Sequence, residues 1–506
     1  MGCLFYLGCP WWIKVRELSK AMSRPRGDIT TLLDLTDRDD QDSFFSPVDP
    51  AVSWFTRAAK RRYTPFTPCI QEFAYRGPAS FGQRISFDLK TQTSGDVVHA
   101  AFLQIKLAHW LNLSAQLQVA SGAYEYVDAA TAWFYANSLG TALIQKAELE
   151  IDGDTIEEID GDFINVCSAL FTDLNTQVAS GPDALGKVSM DSLKAWSSTR
   201  VFPTEDGYVH CPLSFYFMRT RLKEYLPLLA CKDGSVRLHI TFRPLAEVVR
   251  QARGYRDTCT SVPLETTVSV YDRSYPFDKP VDIITDAGEP MFESVRLVTY
   301  GALLDGAVRE KMYREPFELM HREVQTFYFA EPLKYAVVKA GADSVIRVQL
   351  PLEANHPIEE IIWFIRRKEV SQNNEWTNYS AVLEREYDSV YNAKSGLLTW
   401  AKIQADGIDV ISAEEQYFRQ QIAGSHRGGI TAFNSFIYGY SFARRPSELH
   451  QPSGSINASR LQSLRLVLDI QPPGGSFGGE WEVKVFCLGL NWLRFQNGLA
   501  NRMFED

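Results

Sequence analysis

Short runs of alternating apolar and polar residues recur along most of this chain. Residues 235–242 and 344–350 alternate in this way, while Arg84–Leu89 and residues 97–107 are rich in β-branched and aromatic side chains. A period of two residues is typical of a strand with one buried face. Gly, Pro, Asn and Asp separate the runs, and no long helical pattern comes between them. The pattern predicts an all-β protein built from antiparallel sandwiches or barrels.

One strand pattern occurs twice. Residues 147–153 read AELEIDG and residues 401–407 read AKIQADG, and the same offset of 254 residues places Phe163 opposite Tyr417 without a gap. In each copy a strand ends at Asp-Gly, a turn dipeptide, and an acidic stretch leads into an aromatic segment that could be helical. Residues 97–107 and 358–366 are a further candidate pair of equivalent strands. The repeat predicts a duplicated unit in which Gly153 and Gly407 occupy equivalent tight turns with positive φ.

The chain is long enough for two domains that each bury a core. Residues 1 to about 69 are irregular and contain scattered prolines, so we expect an arm at residues 1–70. A first domain is then expected at residues 71–318 and a second at residues 319–506. No apolar run reaches the roughly eighteen residues of a membrane-spanning helix. An alternative route to a membrane is a lipid attached to the arm at Gly2 or Cys3. The myristoylation motif usually has Ser or Thr at position 6, however, and this chain has Tyr6.

Charge and cysteine content narrow the possible functions. The net charge of −10 is spread along the chain, which argues against direct nucleic-acid binding because phosphate contacts need a dense basic surface. The eight cysteines form no Cys-x-x-Cys pair and have no histidine at zinc-finger spacing. We therefore expect free thiols in a reducing compartment.

No motif nominates a catalytic residue, a cofactor or a metal. Residues 181–189 resemble a phosphate-binding loop, but Val188 occupies the place of the required Ser or Thr. The acidic stretch 152–162 misses the spacing of a calcium loop and is interpreted as a solvated turn. A pair of carboxylates for glycoside hydrolysis cannot be nominated from sequence. The triplets at Asn112, Asn378 and Asn457 fit the glycosylation pattern, which matters only in a secretory route.

Five segments carry a family resemblance: residues 137–162, 208–217, 225–229, 236–242 and, as the most specific, 441–460, which read SFARRPSELHQPSGSINASR. In chain order they resemble the major capsid proteins of nucleocytoplasmic large DNA viruses of the phycodnavirus and iridovirus type. The motif residues of that last segment are Pro446, His450, Gln451, Pro452, Ser453, Gly454 and Asn457.

The residue types in this motif are those expected of a loop with a fixed backbone conformation. The two prolines fix φ, Gly454 permits a left-handed turn, and Ser453, Asn457 or Ser459 can bond nearby backbone. His450 has no second histidine or cysteine close by in sequence, so it is interpreted as a structural loop residue rather than a metal ligand.

The resemblance implies a fold of two tandem eight-stranded antiparallel jelly-roll barrels with short helices in the loops. It also implies a structural role, with no enzymatic activity, in the outer capsid shell of a virion assembled in the host cytoplasm. The expected partners are further copies in homotrimeric, pseudo-hexagonal capsomers, neighbouring capsomers and minor capsid proteins. An internal viral membrane reached through the arm and surface glycans are further possible partners. Residues 309–324 resemble the link that sets the orientation of the barrels.

This chain departs from the pattern in its long arm and at Cys211 and Met218. Two alternatives therefore stay open. One is a minor capsid paralogue with the same fold, and the other is a carbohydrate-binding or carbohydrate-cleaving β-sandwich protein.

Overall fold

The computed structural model describes most of the chain from Phe66 onwards. The described residues are 66–107, 132–136, 138–172, 207–219, 224–232, 234–252, 274–276, 292–330, 345–368, 370, 376–381, 395–425, 436–446, 452–471 and 480–504. The arm residues 1–65, including Gly2, Cys3 and Tyr6, lie outside them, as do residues 181–189 and Asn112.

Two four-stranded antiparallel sheets form the first barrel. The strands up to residue 304 are β1 (Phe66–Ala74), β2 (Arg84–Leu89), β3 (Val97–Lys106), β4 (Ala132–Tyr135), β5 (Ile144–Ile151), β6 (Asp154–Ile159), β7 (Tyr208–Pro212), β8 (Val236–Phe242), β9 (Val249–Ala252), β10 (Ser274–Pro276) and β11 (Ser294–Leu304). The two barrel sheets have the orders β1-β11-β3-β7 and β2-β8-β5-β6, and a small third sheet has the order β10-β9-β4.

The second barrel repeats this arrangement. Its strands are β12 (Phe317–Phe329), β13 (Ile346–Leu352), β14 (Pro357–Arg367), β15 (Leu398–Ala405), β16 (Ile408–Glu414), β17 (Ile437–Ser441), β18 (Ile456–Asn457), β19 (Leu464–Ile470), β20 (Trp481–Gln496) and β21 (Leu499–Arg502). The sheet orders are β12-β20-β14-β17 and β13-β19-β15-β16, with β18 paired to β14 and β21 paired to β20. The predicted double jelly-roll fold is confirmed.

The described helices are short and lie between strands. They are α1 (Thr91–Ser94), α2 (Leu139–Ala142), α3 (Gly161–Leu170), α4 (Tyr216–Arg219), α5 (Leu245–Val248), α6 (Gly306–Arg314) and α7 (Glu415–Ser425), with 3₁₀ turns at Leu228–Cys231 and Ala458–Arg460. Helix α6 connects the barrels. The link is shorter than the predicted residues 309–324, because residues from Phe317 onwards pair with β20 as strand β12.

The duplication extends to irregularities of the sheets. The pairing of β5 with β6 shifts register between Leu149 and Glu150, and the pairing of β15 with β16 shifts between Ile403 and Gln404, the positions 254 residues later. Strands β3 and β14 hold the same place in their sheets, and β-bulges lie near the start of both. Because bulges are specific local features of a sheet, their repetition supports a duplicated unit.

The two barrels differ in how their equivalent sheets are buried. Along β3 and β11 buried and half-buried residues largely alternate, as in a sheet with a core on one side. In β14, by contrast, every residue from Ile358 to Arg366 is buried, and β20 is similarly covered along its first half. Strand β14 and the first half of β20 are therefore covered on both faces, once by their own core and once by the first barrel.

Candidate functional site

The two predicted Asp-Gly turns have matching backbones. Asp152 and Gly153 have φ values of 56° and 96°, and Asp406 and Gly407 have values of 51° and 81°. Positive φ at both central residues is the signature of a type I′ hairpin turn, whose twist matches that of the flanking strands. In each copy the aspartate also accepts a backbone N–H from the residue that precedes the neighbouring strand. The donors are Ser235 at 2.8 Å and Ser463 at 2.9 Å.

Only the first turn meets the other barrel within the described residues. The second carboxylate oxygen of Asp152 accepts the backbone N–H of Ala500, in β21, at 3.0 Å. Arg502 of the same strand donates to the carbonyl oxygens of Thr155 and Ile156 at 2.8 and 2.6 Å. Strand β21 thus ties the second barrel to the turn and β6 of the first.

A buried charge cluster lies at the centre of this contact. Asp162, in the first turn of α3, receives Arg366 of β14 in a two-pronged pair with distances of 2.5 and 2.8 Å. Lys484 of β20 lies 2.5 Å from carboxylate oxygens of Asp160 and Asp162. Arg366 also donates through Nε to Glu482 at 2.6 Å. Breaking a buried pair of this kind leaves an uncompensated charge, so the cluster fixes how the barrels dock.

The cluster keeps Asp162 ionised. Burial by itself would raise the pKa of Asp162, but Arg366, Lys484 and Arg243 outweigh it and hold the pKa far below its usual range. Burial would likewise lower the pKa of Arg366, and the carboxylates of Asp162 and Glu482 raise it instead. These opposed charges therefore persist across the whole physiological pH range.

A second charged group lies between the barrels. Arg322 of β12 donates to Glu359 at 2.5 Å and lies 3.4 Å from Glu224 of the first barrel. Arg219 forms a 2.6 Å pair with Glu157 and donates to the carbonyl oxygen of Arg322 at 2.5 Å. Burial raises the pKa of Glu224 to about 7 despite the lowering effect of the two arginines. This carboxyl titrates near neutrality.

Apolar and aromatic contacts fill the space beside the charges. The rings of Phe163 and Phe486 lie 5.1 Å apart, and those of Phe364 and Tyr379 lie 4.3 Å apart. Asn165 of α3 donates to the hydroxyl of Tyr379 at 2.5 Å. We call these contacts and the ion pairs together the barrel contact. In it, β6, α3 and α4 of the first barrel pack against β12, β14, β20 and β21 of the second.

The interpretation of the acidic stretch 152–162 as a solvated turn is wrong for two of its residues. Glu157 and Asp162 are each only 3% exposed. They are buried because Arg219 and the basic side chains of the second barrel compensate their charge. Sequence reasoning identified the acidic stretch but missed the partners of Asp162, which lie more than 200 residues away in the chain.

The loop motif is held to the start of β14. Ser453 accepts the backbone N–H of Arg445 at 2.9 Å across the loop, and Ser459 accepts that of His356 at 2.8 Å. A Cβ added at Gly454 would lie 2.6 Å from the carbonyl oxygen of Phe442, and φ there is 151°. Glycine is thus required at this position for both space and backbone conformation.

Other motif residues vary in their surroundings. Pro446 is buried, whereas Pro452 and Asn457 are exposed, and Asn457 pairs with Pro357 in the short strand β18. His450 and Gln451 lie outside the described residues. Of the glycosylation triplets, Asn378 is buried and bonds Ser380, which makes it a poor acceptor of a sugar, while Asn457 is accessible.

Reactive chemistry is sparse where the structure describes the chain. No group of His, Cys, Asp and Glu among the described residues could hold a metal ion, and none of the described helices is long and apolar enough to cross a membrane. The described cysteines, Cys69, Cys167, Cys211, Cys231 and Cys487, are free thiols. Burial raises the pKa of Cys167, Cys231 and Cys487 to about 12, so these thiols are not nucleophilic near neutrality.

Two family models match the chain. One, described as "Major capsid protein N-terminus", matches residues 53–274, and the other, "Large eukaryotic DNA virus major capsid protein", matches residues 320–501. The chain is 23% identical over 491 residues to the major capsid protein of Pyramimonas orientalis virus, covering 92% of this chain and 97% of the relative. It is also 23% identical to the major capsid protein of Paramecium bursaria Chlorella virus 1, with coverages of 90% and 95%.

Solved structures agree with the fold. VP54 of PBCV-1 superposes with a TM-score of 0.60 at 18% identity, covering 88% of this chain and 98% of VP54. The Faustovirus major capsid protein superposes with a TM-score of 0.59 at 11% identity, covering 91% of this chain and 95% of that protein.

Proposed function

We propose that this chain, which belongs to the major capsid protein family of large eukaryotic DNA viruses, builds the outer capsid shell as homotrimeric, pseudo-hexagonal capsomers. The observation that carries the proposal is the duplicated barrel with its buried, charge-locked barrel contact. Three copies of a two-barrel chain give a sixfold outline from threefold symmetry, and such blocks tile a flat facet. One heterologous interface repeated three times closes the ring and limits growth to the trimer.

The proposed role is mechanical rather than catalytic. The eight main strands of each barrel bond most of their backbone within the fold, which leaves few edges for aggregation. A shell subunit needs such a rigid body, and it needs outer walls that remain available to neighbouring capsomers. We place the protein in the virion, after assembly in the host cytoplasm.

Further partners extend this proposal. The arm at residues 1–70 carries Trp11, Trp12, Phe44 and Phe45 with little surrounding sequence to bury them, which suits contacts with minor capsid proteins or an internal membrane. The barrels would occupy residues 71–318 and 319–506, with β1 and β12 starting slightly before these bounds. Glycans on exposed loops would add to the outer surface of the shell.

The mass of the purified protein in solution tests the assembly state. Light scattering at micromolar concentration should give three times the chain mass, and electron microscopy should show hexagonal outlines with threefold symmetry. A monomer or twofold dimer that forms no trimer at higher concentration would remove the capsomer proposal. If the trimer forms, the number of copies per virion distinguishes a major from a minor shell protein.

A further inference from the structure

We propose that Ser86, on the outer face of sheet β2-β8-β5-β6, is an activated nucleophile that accepts an acyl group from an ester or a thioester. Such a site lies beyond the proposed capsid function, which assigns no covalent chemistry to the barrels. Two features carry it: the contacts that join Ser86 to His239 and Glu150, and the different residues at the equivalent positions of the second barrel.

Three neighbouring strands bring the three side chains together. Ser86 of β2 lies directly opposite His239 of β8, and Glu150 of β5 lies on the next strand, diagonally across from His239. Alternate residues of β2 are exposed, which places Ser86 on the outer face of the sheet. The hydroxyl of Ser86 is thus open to an incoming molecule, whereas only 8% of His239 is exposed.

Hydrogen bonds order the three groups as nucleophile, base and orienting carboxylate. Oγ of Ser86 lies 2.6 Å from Nδ1 of His239, and Nε2 of His239 lies 2.9 Å from a carboxylate oxygen of Glu150. Because a carboxylate only accepts hydrogen bonds, Glu150 holds the proton of the neutral ring on Nε2. The lone pair of Nδ1 then faces the hydroxyl of Ser86. This is the arrangement by which a histidine activates a serine.

Charged neighbours support the arrangement on both sides. The other carboxylate oxygen of Glu150 accepts from Arg237 at 3.5 Å, and Arg237 also donates to Asp88 at 3.1 Å, so Glu150 is held in place. Arg84 lies on the same face of β2, two residues before Ser86. A guanidinium beside the serine can stabilise the negative charge that develops on an attacked carbonyl oxygen.

The second barrel has the same sheet without these three residues. The equivalents of Ser86, His239 and Glu150, read from the pairing of β13, β19 and β15, are Gln349, Val467 and Gln404. The arginines at positions 84 and 237, by contrast, recur as Arg347 and Arg465. The jelly-roll sheet therefore forms without a Ser–His–Glu set, which favours a chemical role for this set in the first barrel.

The reaction is the transfer of one acyl group. Oγ of Ser86 attacks the carbonyl carbon and forms a C–O bond, while its proton passes to Nδ1 of His239. The bond from the carbonyl carbon to the leaving oxygen or sulfur then breaks, and the leaving alkoxide or thiolate takes the proton from His239. The products are an ester of Ser86 and a free alcohol or thiol, and nothing is oxidised or reduced.

Acyl and phosphonyl probes test the site on the purified full-length chain. p-Nitrophenyl acetate should acetylate Ser86 and a fluorophosphonate should phosphonylate it, and mass spectrometry of peptides locates each adduct. Ser412 is the matched control within the same chain, because it is exposed on β16 and its hydroxyl accepts from Trp400 at 2.8 Å instead of meeting a histidine. Ser86 should react about a hundredfold faster than Ser412 or more.

Variants separate the roles of the three residues. Ser86→Ala should lose the adduct at this position. His239→Ala should lower the rate by about a hundredfold, and added imidazole should restore part of it by taking the place of the missing ring. Glu150→Gln should also lower the rate, because its amide can donate to Nε2 and move the ring proton to Nδ1, whereas Glu150→Asp should retain more activity. Thermal unfolding shows which variants are folded.

Two results would overturn the proposal: an adduct that forms on Ser86 no faster than on Ser412, or a rate that survives His239→Ala unchanged. If His239→Ala does not fold, the comparison of Glu150→Gln with Glu150→Asp decides, and equal rates in these two count against it. Hydrolysis of the acetyl ester does not hide a reactive serine, since the phosphonate adduct persists in water. Failure at Ser86 leaves the capsid function standing, because the mass of the trimer is measured independently.

Discussion

At the residue scale, the glycine of each Asp-Gly turn has a backbone conformation that would be strained in any other residue type. Gly153 and Gly407 have positive φ, and a Cβ added at either would meet no atom within 4 Å. Gly153→Ala and Gly407→Ala should therefore each lower the free energy of unfolding by about 1 kcal/mol, from backbone strain alone. Chemical denaturation of each variant measures the change.

The control for these turns is Gly306→Ala. Gly306 begins α6 with ordinary φ and equally open space, so alanine there should be neutral or slightly stabilising. Equal losses at all three glycines would show that the turn backbone is not the cause.

Breaking the buried pair of Asp162 and Arg366 should lower the stability of the fold by more than a change in either turn. Asp162→Asn should destabilise the protein by about 3–5 kcal/mol, because Arg366 and Lys484 keep their charges in a buried site. The pKa of Asp162 is lowered, so its contribution to stability is present above the unfolded pKa of about 4 and fades as the pH falls below that value.

The exposed pair of Lys368 and Glu480 is the reference for Asp162→Asn. Glu480→Gln should cost less than about 1 kcal/mol because solvent screens this surface pair. Thermal unfolding at pH 7 and pH 3 compares the two variants. A small loss for Asp162→Asn at pH 7 would contradict a locking role for the cluster.

At the scale of elements, the sequence located several strands closely, whether one or both of their faces are covered. The alternating pattern located β8 and β13 to within two residues at each end, and the run of β-branched and aromatic residues at Arg84–Leu89 matches β2. Residues 358–366, named as a candidate strand, form β14 to within one residue at each end, although one face of this strand meets its own core and the other meets the first barrel. The charges of the barrel contact were not predictable, because the partners of Asp162 lie on strands that only the tertiary fold brings near.

Contact between elements also introduces a pH dependence near neutrality. Burial raises the pKa of Glu224 from 4.5 to about 7, so between these values the folded protein holds a proton that the unfolded chain has released. Stability should therefore fall as the pH rises from about 4.5 to about 7, by up to about 3 kcal/mol from this group. Glu224→Gln should remove that fall.

Unfolding curves measured at several pH values in this range check the role of Glu224. Glu158→Gln serves as a control because Glu158 is exposed on β6. If the wild type and Glu224→Gln show the same slope, Glu224 stays ionised between Arg322 and Arg219 and the expected titration is wrong.

At the scale of the whole molecule, duplication made the architecture predictable from a short repeat. The offset of 254 residues, read from one strand and its turn, holds from β5 through β6 to the start of α3 and their copies in the second barrel. The asymmetry between the barrels was not predictable, because it arises from which face of each barrel the other one covers.

The arm at residues 1–70 is expected to serve shell assembly and not the folding of the barrels. All described strands of both barrels lie at or after Phe66, and the buried apolar cluster of the described residues runs from Ala79 to Ala500. Deleting residues 1–60 should therefore leave the melting temperature unchanged, since the described core contains only barrel residues. Shell assembly should be impaired, because the apolar side chains of the arm are expected to meet other shell components. Electron microscopy of assembled particles and thermal unfolding separate the two effects, and unfolded barrels after the deletion would contradict an arm that only mediates assembly.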